Sequence, residues 1–180
     1  MTSLSLTSCQ HACTWQDAPQ PVPSVNCQAD SSSLLFPVFN GQKAACNQDL
    51  SGTDLTTTPS IQWDGVRAGD TYLLMMVDPD ASTPCNPSHR YVLHWAAFVT
   101  GQDLHETHTF ASYRSPHPPS GSPAHRYQLF LFEWEATLGV NHPDFLGHDS
   151  QHRGSFDFDR FKTMNGLREP VASFQLLYHN

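Results

Sequence analysis

Tyr72–Val77 is a run of six consecutive apolar residues among neighbours that are mostly polar. The run is too short to cross a membrane and lacks the spacing of an amphipathic helix, so it predicts a strand buried on both faces. It stops at Asp78-Pro79-Asp80, where Pro79 has no N–H to donate to a sheet. Two carboxylates directly after a dry strand either cap a turn or line a polar pocket at the strand's end.

Other apolar groups predict the remaining regular elements. A second strong strand spans Tyr91–Thr100, interrupted by His94, and a third opens at His125 and continues through Leu129–Trp134. Weaker alternation and turn residues predict four more strands and a short helix. The strands are Leu34–Phe39, Lys43–Leu50, Ile61–Trp63 and Val171–Tyr178, and the helix is Asp157–Met164.

Three segments are predicted to lack regular structure. Residues 1–33 are rich in Ser, Thr, Gln and Pro and form an irregular lead-in. Gly101–Ser112 is a polar connection, and Tyr113–Ala124 contains four prolines. With 180 residues, 14 prolines and 10 glycines, the chain suits one mostly β domain, residues 34–180, built from short strands joined by turns.

The charge balance excludes two classes of partner. The net charge is −8, and the nine Lys and Arg residues are spread thinly along the chain. No basic stripe exists for a nucleic acid, and no polybasic patch exists for a membrane surface. We therefore expect no nucleic-acid partner and no transmembrane segment.

Five cysteines, at positions 9, 13, 27, 46 and 85, are typical of an extracellular protein stabilised by disulfides. Five is an odd number, which leaves one thiol unpaired or paired between chains. Cys85 is predicted to be a disulfide partner, with Cys46 as the candidate. Met1–Thr7 has neither the basic start nor the apolar run of a signal peptide. We expect a secreted protein whose export signal is not present in this chain.

The three strong strands place several polar side chains on one rim. If the first two pair antiparallel, the end of the first lies near the start of the second. Asp78 and Asp80 then share an edge with His94. A third strand parallel to the second adds His125 and Tyr127, and the proline-rich segment covers the same edge.

The order and spacing of several motifs resemble the phosphatidylethanolamine-binding protein family, to which Raf kinase inhibitor protein and the flowering locus T proteins belong. Two signature regions carry the resemblance, Asp78-Pro79-Asp80-Ala81 with His94-Trp95, and Pro118-Pro119-Ser120-Gly121 with His125-Arg126-Tyr127. Shorter matches continue from about residue 34 to 178. The N-terminal cysteines resemble those of the family's secreted branch.

The resemblance implies a fold and a ligand site. The fold is a central antiparallel sheet packed on a second, smaller sheet, with a few short peripheral helices. The site is a small pocket for phosphate-like groups, including phospholipid headgroups. Matched position by position, its residues are Asp78, Asp80, His94, Pro119, His125 and Tyr127.

Two departures from the family pattern affect this site. Ser82 stands where the family usually has proline, so the loop after the carboxylates is expected to bend differently. His117 replaces a glycine that commonly precedes the Pro-Pro pair, and its side chain either narrows the pocket or adds a donor to it. His117 is therefore included among the candidate ligand-binding residues.

Simpler interpretations and other chemistries compete with an anion pocket. His94 and His125 are also compatible with ordinary buried histidines. His105-Glu106-Thr107-His108 is one residue short of the zinc-protease motif H-E-x-x-H and lies in a polar connection, so no metal and no cofactor are expected.

Enzymatic chemistry has little support. No G-x-S-x-G is present, and nothing marks a leaving-group site beside the carboxylates. Arg153 is expected to tie a loop to a buried carboxylate, and Arg126 to point away from the pocket face. The sequence therefore predicts a non-catalytic binding protein. The alternative is a protein-interaction module that inhibits a serine protease or modulates a signalling partner.

Overall fold

The computed structural model describes residues 13–21, 24–135 and 153–180. Met1–Thr7 and Cys9, which entered the predictions above, lie outside these residues. The strands are β1 (Phe36–Phe39), β2 (Gln42–Lys43), β3 (Gln48–Asp49), β4 (Ser60–Gln62), β5 (Thr71–Asp78), β6 (Val92–Thr100), β7 (His105–Ala111), β8 (His125–Trp134) and β9 (Ala172–Tyr178). A 3-10 helix spans Ser31–Ser33, and α1 spans Phe158–Met164.

Within the described residues the strands form two sheets. The large sheet has the order β3-β9-β8-β5-β6-β7, and the small sheet has the order β2-β1-β4. The pairs β5–β6 and β5–β8 are antiparallel, so β6 and β8 run in the same direction on either side of β5. The strands β3 and β9 pair in parallel. The predicted mostly β fold, with a large sheet packed on a smaller one, is confirmed.

The central strand β5 is buried on both faces, which explains its uninterrupted apolar sequence. Tyr72, Leu74 and Met76 lie in a core cluster shared with residues of the small sheet, such as Ile61. Alternate residues, beginning with Leu73, lie in a second cluster on the opposite face of the sheet. Each fully buried large side chain contributes about 1.5–3 kcal/mol, so both cores depend on this strand.

Two predictions about the edges of the sheets were wrong. Gly101–Ser112, predicted as a polar connection, contains β7, which pairs with β6 at the edge of the large sheet. The first five residues of β7 are exposed, so no apolar alternation marks it as a strand. Lys43–Leu50, predicted as one strand, is divided between β2 in the small sheet and β3 in the large one.

In the described part of the chain, two disulfides form, Cys13–Cys85 and Cys27–Cys46. The predicted Cys46–Cys85 pairing is wrong. Cys46 lies just before Asn47, whose N–H donates to the Gln175 carbonyl of β9. Cys85 lies in the loop from β5 to β6, and β8 separates β9 from β5. Both cysteines instead pair with the N-terminal segment.

Asp80 and Arg126 form a buried ion pair beneath that segment. Asp80 is fully buried, and both of its carboxylate oxygens accept from Arg126, at 2.6 Å for Nη2 and 2.8 Å for Nε. The Arg126 backbone N–H donates to the same carboxylate at 2.8 Å. Arg126 Nη2 also donates to the Pro19 carbonyl at 3.2 Å, which anchors the N-terminal segment.

We expect Arg126→Met to lower the free energy of unfolding by about 3–5 kcal/mol, because it removes the guanidinium that contacts both Asp80 oxygens and leaves Arg90 Nη2 at 3.9 Å from Oδ1, beyond hydrogen-bond distance. Urea unfolding with the disulfides intact measures this change. The matched control is Arg67→Met, which removes the ion pairs of an arginine side chain that is 61% exposed and should cost about 1 kcal/mol or less. Equal losses for the two variants would contradict a structural role for the buried pair.

Candidate functional site

A cavity of about 390 Å³ lies where β5 ends and where β6 and β8 begin. Its walls include six of the seven residues selected from the sequence, Asp78, His94, His117, Pro119, His125 and Tyr127. The antiparallel pairing of β5 with both neighbours brings the strand residues among them together, as predicted, namely Asp78, His94, His125 and Tyr127. The proline-rich segment supplies His117 and Pro119 and covers this rim.

Asp80 is the exception. It is absent from the cavity wall, because its carboxylate is held by Arg126 on the other side of the turn. Arg126 points away from the cavity face, as alternation along β8 predicts, since its neighbours His125 and Tyr127 line the cavity. The two carboxylates of the Asp-Pro-Asp turn therefore have separate tasks.

His94 and Tyr127 form the aromatic wall of the cavity. Their ring centroids lie 5.1 Å apart in an edge-to-face arrangement. His94 Nδ1 lies 2.8 Å from the Arg114 carbonyl oxygen, which can only accept, so Nδ1 carries a proton. In the neutral ring, Nε2 is then an acceptor, and it becomes a donor when the ring takes up a second proton.

Asp78, His125 and Ser122 form a continuous hydrogen-bonded chain. Asp78 Oδ2 lies 2.9 Å from His125 Nδ1, and His125 Nε2 lies 3.0 Å from Ser122 Oγ. Asp78 Oδ1 accepts the Asp80 N–H at 2.7 Å. Both nitrogens of His125 are thus engaged within the protein, so its ring positions the Asp78 carboxylate and is not set up to donate to a ligand.

The connectivity of this chain resembles a Ser-His-Asp hydrolase triad, but the surroundings do not suit acyl transfer. In nucleophile elbows the residue after the serine supplies an oxyanion N–H, and here that residue is Pro123, which has none. Ser122 is also absent from the cavity wall, and its hydroxyl contacts the Pro123 carbonyl at 3.1 Å. The hydrogen bonds fix the orientation of His125.

Burial controls the protonation of His94 and Tyr127. Desolvation lowers the pKa of His94, the Asp78 charge raises it, and the Arg153 and Arg114 charges lower it further. Desolvation and the Asp78 charge raise the pKa of Tyr127 well above its usual range. At neutral pH the wall therefore presents a neutral imidazole and a neutral phenol.

Arg153 fixes the backbone behind the cavity. Its Nη1 donates to the His94 carbonyl at 2.9 Å and to the Ser112 carbonyl at 2.6 Å. A structural role was predicted, and Nη2 also donates to the Ser112 hydroxyl at 3.2 Å. The sequence predicts a structural role for Arg153 but does not identify the groups that accept its hydrogen bonds.

Several cavity residues were not selected from the sequence. They are Ala81, Ser82, His89, Val92, Arg114, Ser115, Pro118 and Gly154. Most lie in the loops between β5 and β6 and before β8, and their position beside the rim strands is the signal that could have identified them. Ser82 was noted only as a departure from the family pattern.

No group of three or more His, Cys, Asp or Glu residues is arranged to hold a metal ion in the described ranges. His105 and His108 lie on exposed β7, and Glu106 between them accepts from the Trp95 indole N–H at 3.0 Å. Nor do those ranges contain a helix that is long and apolar enough to span a bilayer.

A family model described as phosphatidylethanolamine-binding protein matches residues 36–172. The chain belongs to this family. The 26 kDa secreted antigen of Toxocara canis is a relative, 26% identical over 152 residues. The match covers 84% of this chain and 58% of the antigen, so the chain spans less than two thirds of the length of that relative.

Solved structures of the phosphatidylethanolamine-binding type share the fold. A phosphatidylethanolamine-binding protein from Plasmodium vivax superposes with a TM-score of 0.67 at 20% identity, covering 85% of this chain and 90% of that one. A carboxypeptidase Y inhibitor, solved in complex with its cognate proteinase, superposes with a TM-score of 0.65 at 18% identity. That match covers 83% of this chain and 84% of the inhibitor.

Titration of His94, followed through its imidazole signals by NMR, should give a pKa below the ordinary value of 6.5. Because the folded state then binds this proton less readily than the unfolded state, stability falls as the pH drops below the unfolded pKa towards the folded one. Asp78→Asn should lower the pKa further and Arg114→Gln should raise it, since each removes one of the charges that act on His94. A wild-type pKa at or above 6.5 would contradict this account of the site.

Proposed function

We propose that the chain is a non-catalytic binding protein whose cavity holds a phosphate-like anion, such as a phospholipid headgroup. The observation that supports this most directly is the pairing of His94 and Tyr127 in one wall, with the His94 ring oriented by the Arg114 carbonyl. A phosphate oxygen near both rings would accept from the phenol O–H and from Nε2 of a protonated imidazole.

Two positively charged side chains near the cavity support an anion. Arg114 and Arg153 lower the pKa of His94, so their positive potential reaches the ring. An arriving anion would reverse this effect and raise the pKa, so that binding is accompanied by proton uptake at Nε2.

His125 and the Asp80 N–H hold the Asp78 carboxylate oxygens, and the Asp78 charge acts on both His94 and Tyr127. The remaining lone pairs of the Asp78 carboxylate suit the ammonium of an ethanolamine headgroup. A zwitterionic headgroup would thus meet donors at His94 and Tyr127 and an acceptor at Asp78. Pro119 and His117 would close the side of the site formed by the proline-rich loop.

We propose that the protein works outside the cell. The disulfides Cys13–Cys85 and Cys27–Cys46 are typical of secreted chains, and the Toxocara relative is a secreted antigen. In the same proposal, residues 1–33 form an irregular cysteine-containing segment on the domain of residues 34–180. Both disulfides and the contact of Arg126 with Pro19 attach this segment to the domain.

A second candidate function is protease inhibition, or modulation of a signalling partner. The fold neighbour solved with its cognate proteinase supports it. Inhibition of carboxypeptidase Y by the wild-type chain and by His94→Ala separates the two functions. Equal inhibition by both would favour an inhibitory surface outside the cavity. No inhibition by either would contradict an inhibitory function of this chain towards carboxypeptidase Y.

We expect the wild-type protein to bind inorganic phosphate and O-phosphoethanolamine in calorimetry. The binding heat should depend on the ionisation enthalpy of the buffer, because a proton is taken up. His94→Ala should weaken both ligands by about tenfold or more, the loss of one hydrogen bond to a charged group. The matched control is His105→Ala, which alters an exposed histidine of β7 and should change neither affinity. Unchanged affinity in His94→Ala would contradict the assignment.

A further inference from the structure

The cavity is larger than a phosphate ion requires. Its volume of about 390 Å³ lies within the range of about 300–1,000 Å³ that holds small organic ligands. The polar groups of the proposed phosphate site, His94 and Tyr127, occupy only part of its wall. The rest of the wall must therefore suit the part of the ligand that is bonded to the phosphate.

Ser82 and His89 supply a second polar pair in that wall. Ser82 Oγ lies 2.7 Å from His89 Nδ1. The loop brings them together because the His89 N–H donates to the Ala81 carbonyl at 2.9 Å. Ser88 Oγ lies 3.3 Å from both atoms but is absent from the cavity wall.

The chemistry of this pair suits a hydroxyl group. If the Ser82 hydroxyl donates to Nδ1, then Nε2–H remains as a donor and Ser82 Oγ as an acceptor. If Nδ1–H donates to Ser82, then the hydroxyl remains as a donor and Nε2 as an acceptor. Either arrangement leaves one donor and one acceptor for a ligand. A hydroxyl both donates and accepts, so it satisfies the pair in either state, whereas an alkyl group satisfies neither.

We propose that Ser82 and His89 form a second subsite, which makes the cavity selective for phosphate esters that carry a short hydroxylated substituent, as in glycerol phosphate. This inference rests on the proposed anion site, with the phosphate at His94 and Tyr127. A soluble ester and the exposed headgroup of a lipid share this chemistry, since a glycerol or inositol headgroup presents the same phosphate and hydroxyls.

Three ligands separate the subsites in calorimetry: inorganic phosphate, n-propyl phosphate and glycerol 3-phosphate. Propyl phosphate has the same chain as glycerol phosphate without the hydroxyls. Wild-type protein should bind glycerol 3-phosphate about tenfold more tightly than propyl phosphate, as expected for one to two added hydrogen bonds. Ser82→Ala and His89→Ala should each remove most of that preference and leave the other two affinities unchanged.

Two further variants keep the outcomes distinct. Ser88→Ala, the matched control, should preserve all three affinities, because Ser88 contacts the pair without lining the cavity. His94→Ala should weaken all three ligands together. Wild-type protein that binds glycerol and propyl phosphate equally would overturn the second subsite alone. Wild-type protein that binds none of the three would overturn the proposed function and this inference with it.

Vesicles identify the source of the ester. Phosphatidylglycerol vesicles are sedimented at about 0.15 M salt, which screens repulsion between the lipid and the protein's net charge of −8. Sedimentation of wild-type protein but not of Ser82→Ala would support the inference with a lipid headgroup as ligand. Binding confined to glycerol 3-phosphate would support it with a soluble ester. Equal sedimentation of both proteins, together with equal affinities for glycerol 3-phosphate, would overturn it.

Discussion

The structure depends on strand β5, which is buried on both faces and is followed by a turn with two carboxylates. Neither carboxylate of the Asp-Pro-Asp turn can remain buried without partners, and each finds them on a different side. Asp80 accepts from the Arg126 guanidinium and backbone, which joins β5 to β8 and the N-terminal segment. Asp78 accepts from His125, which leaves a cavity beside it with ordered walls. One turn therefore supports both the fold and the candidate site.

The sequence was sufficient for the features that depend on periodicity. The uninterrupted apolar run in β5 predicts burial on both faces. Antiparallel pairing predicts that His94, His125 and Tyr127 share a rim with Asp78. Alternation along β8 predicts the direction of the Arg126 side chain. The sequence was insufficient where side-chain partners decide. Nothing in the sequence indicates that Asp80 is held by Arg126, that Cys13 rather than Cys46 reaches Cys85, or that exposed β7 pairs with β6. Such choices depend on three-dimensional proximity, which residue type and spacing do not encode.

Hydrogen bonds hold the inner wall of the cavity, and further polar side chains line the rest of it. Family membership places the chain among proteins of this fold, but one fold supports several functions, so the chemistry must be argued from the residues. The hydrogen bonds of His94 and His125 fix both rings before any ligand arrives. Preorganisation of this kind lowers the cost of binding, and Ser82, His89 and His117 also line the cavity.

The most direct test of the central claim is a crystal structure of the protein grown in phosphate near neutral pH. The account predicts tetrahedral density within hydrogen-bond distance of both His94 Nε2 and the Tyr127 hydroxyl, with the Asp78–His125 contact unchanged. Density elsewhere in the cavity, or a cavity filled by repacked side chains with the two rings apart, would contradict it.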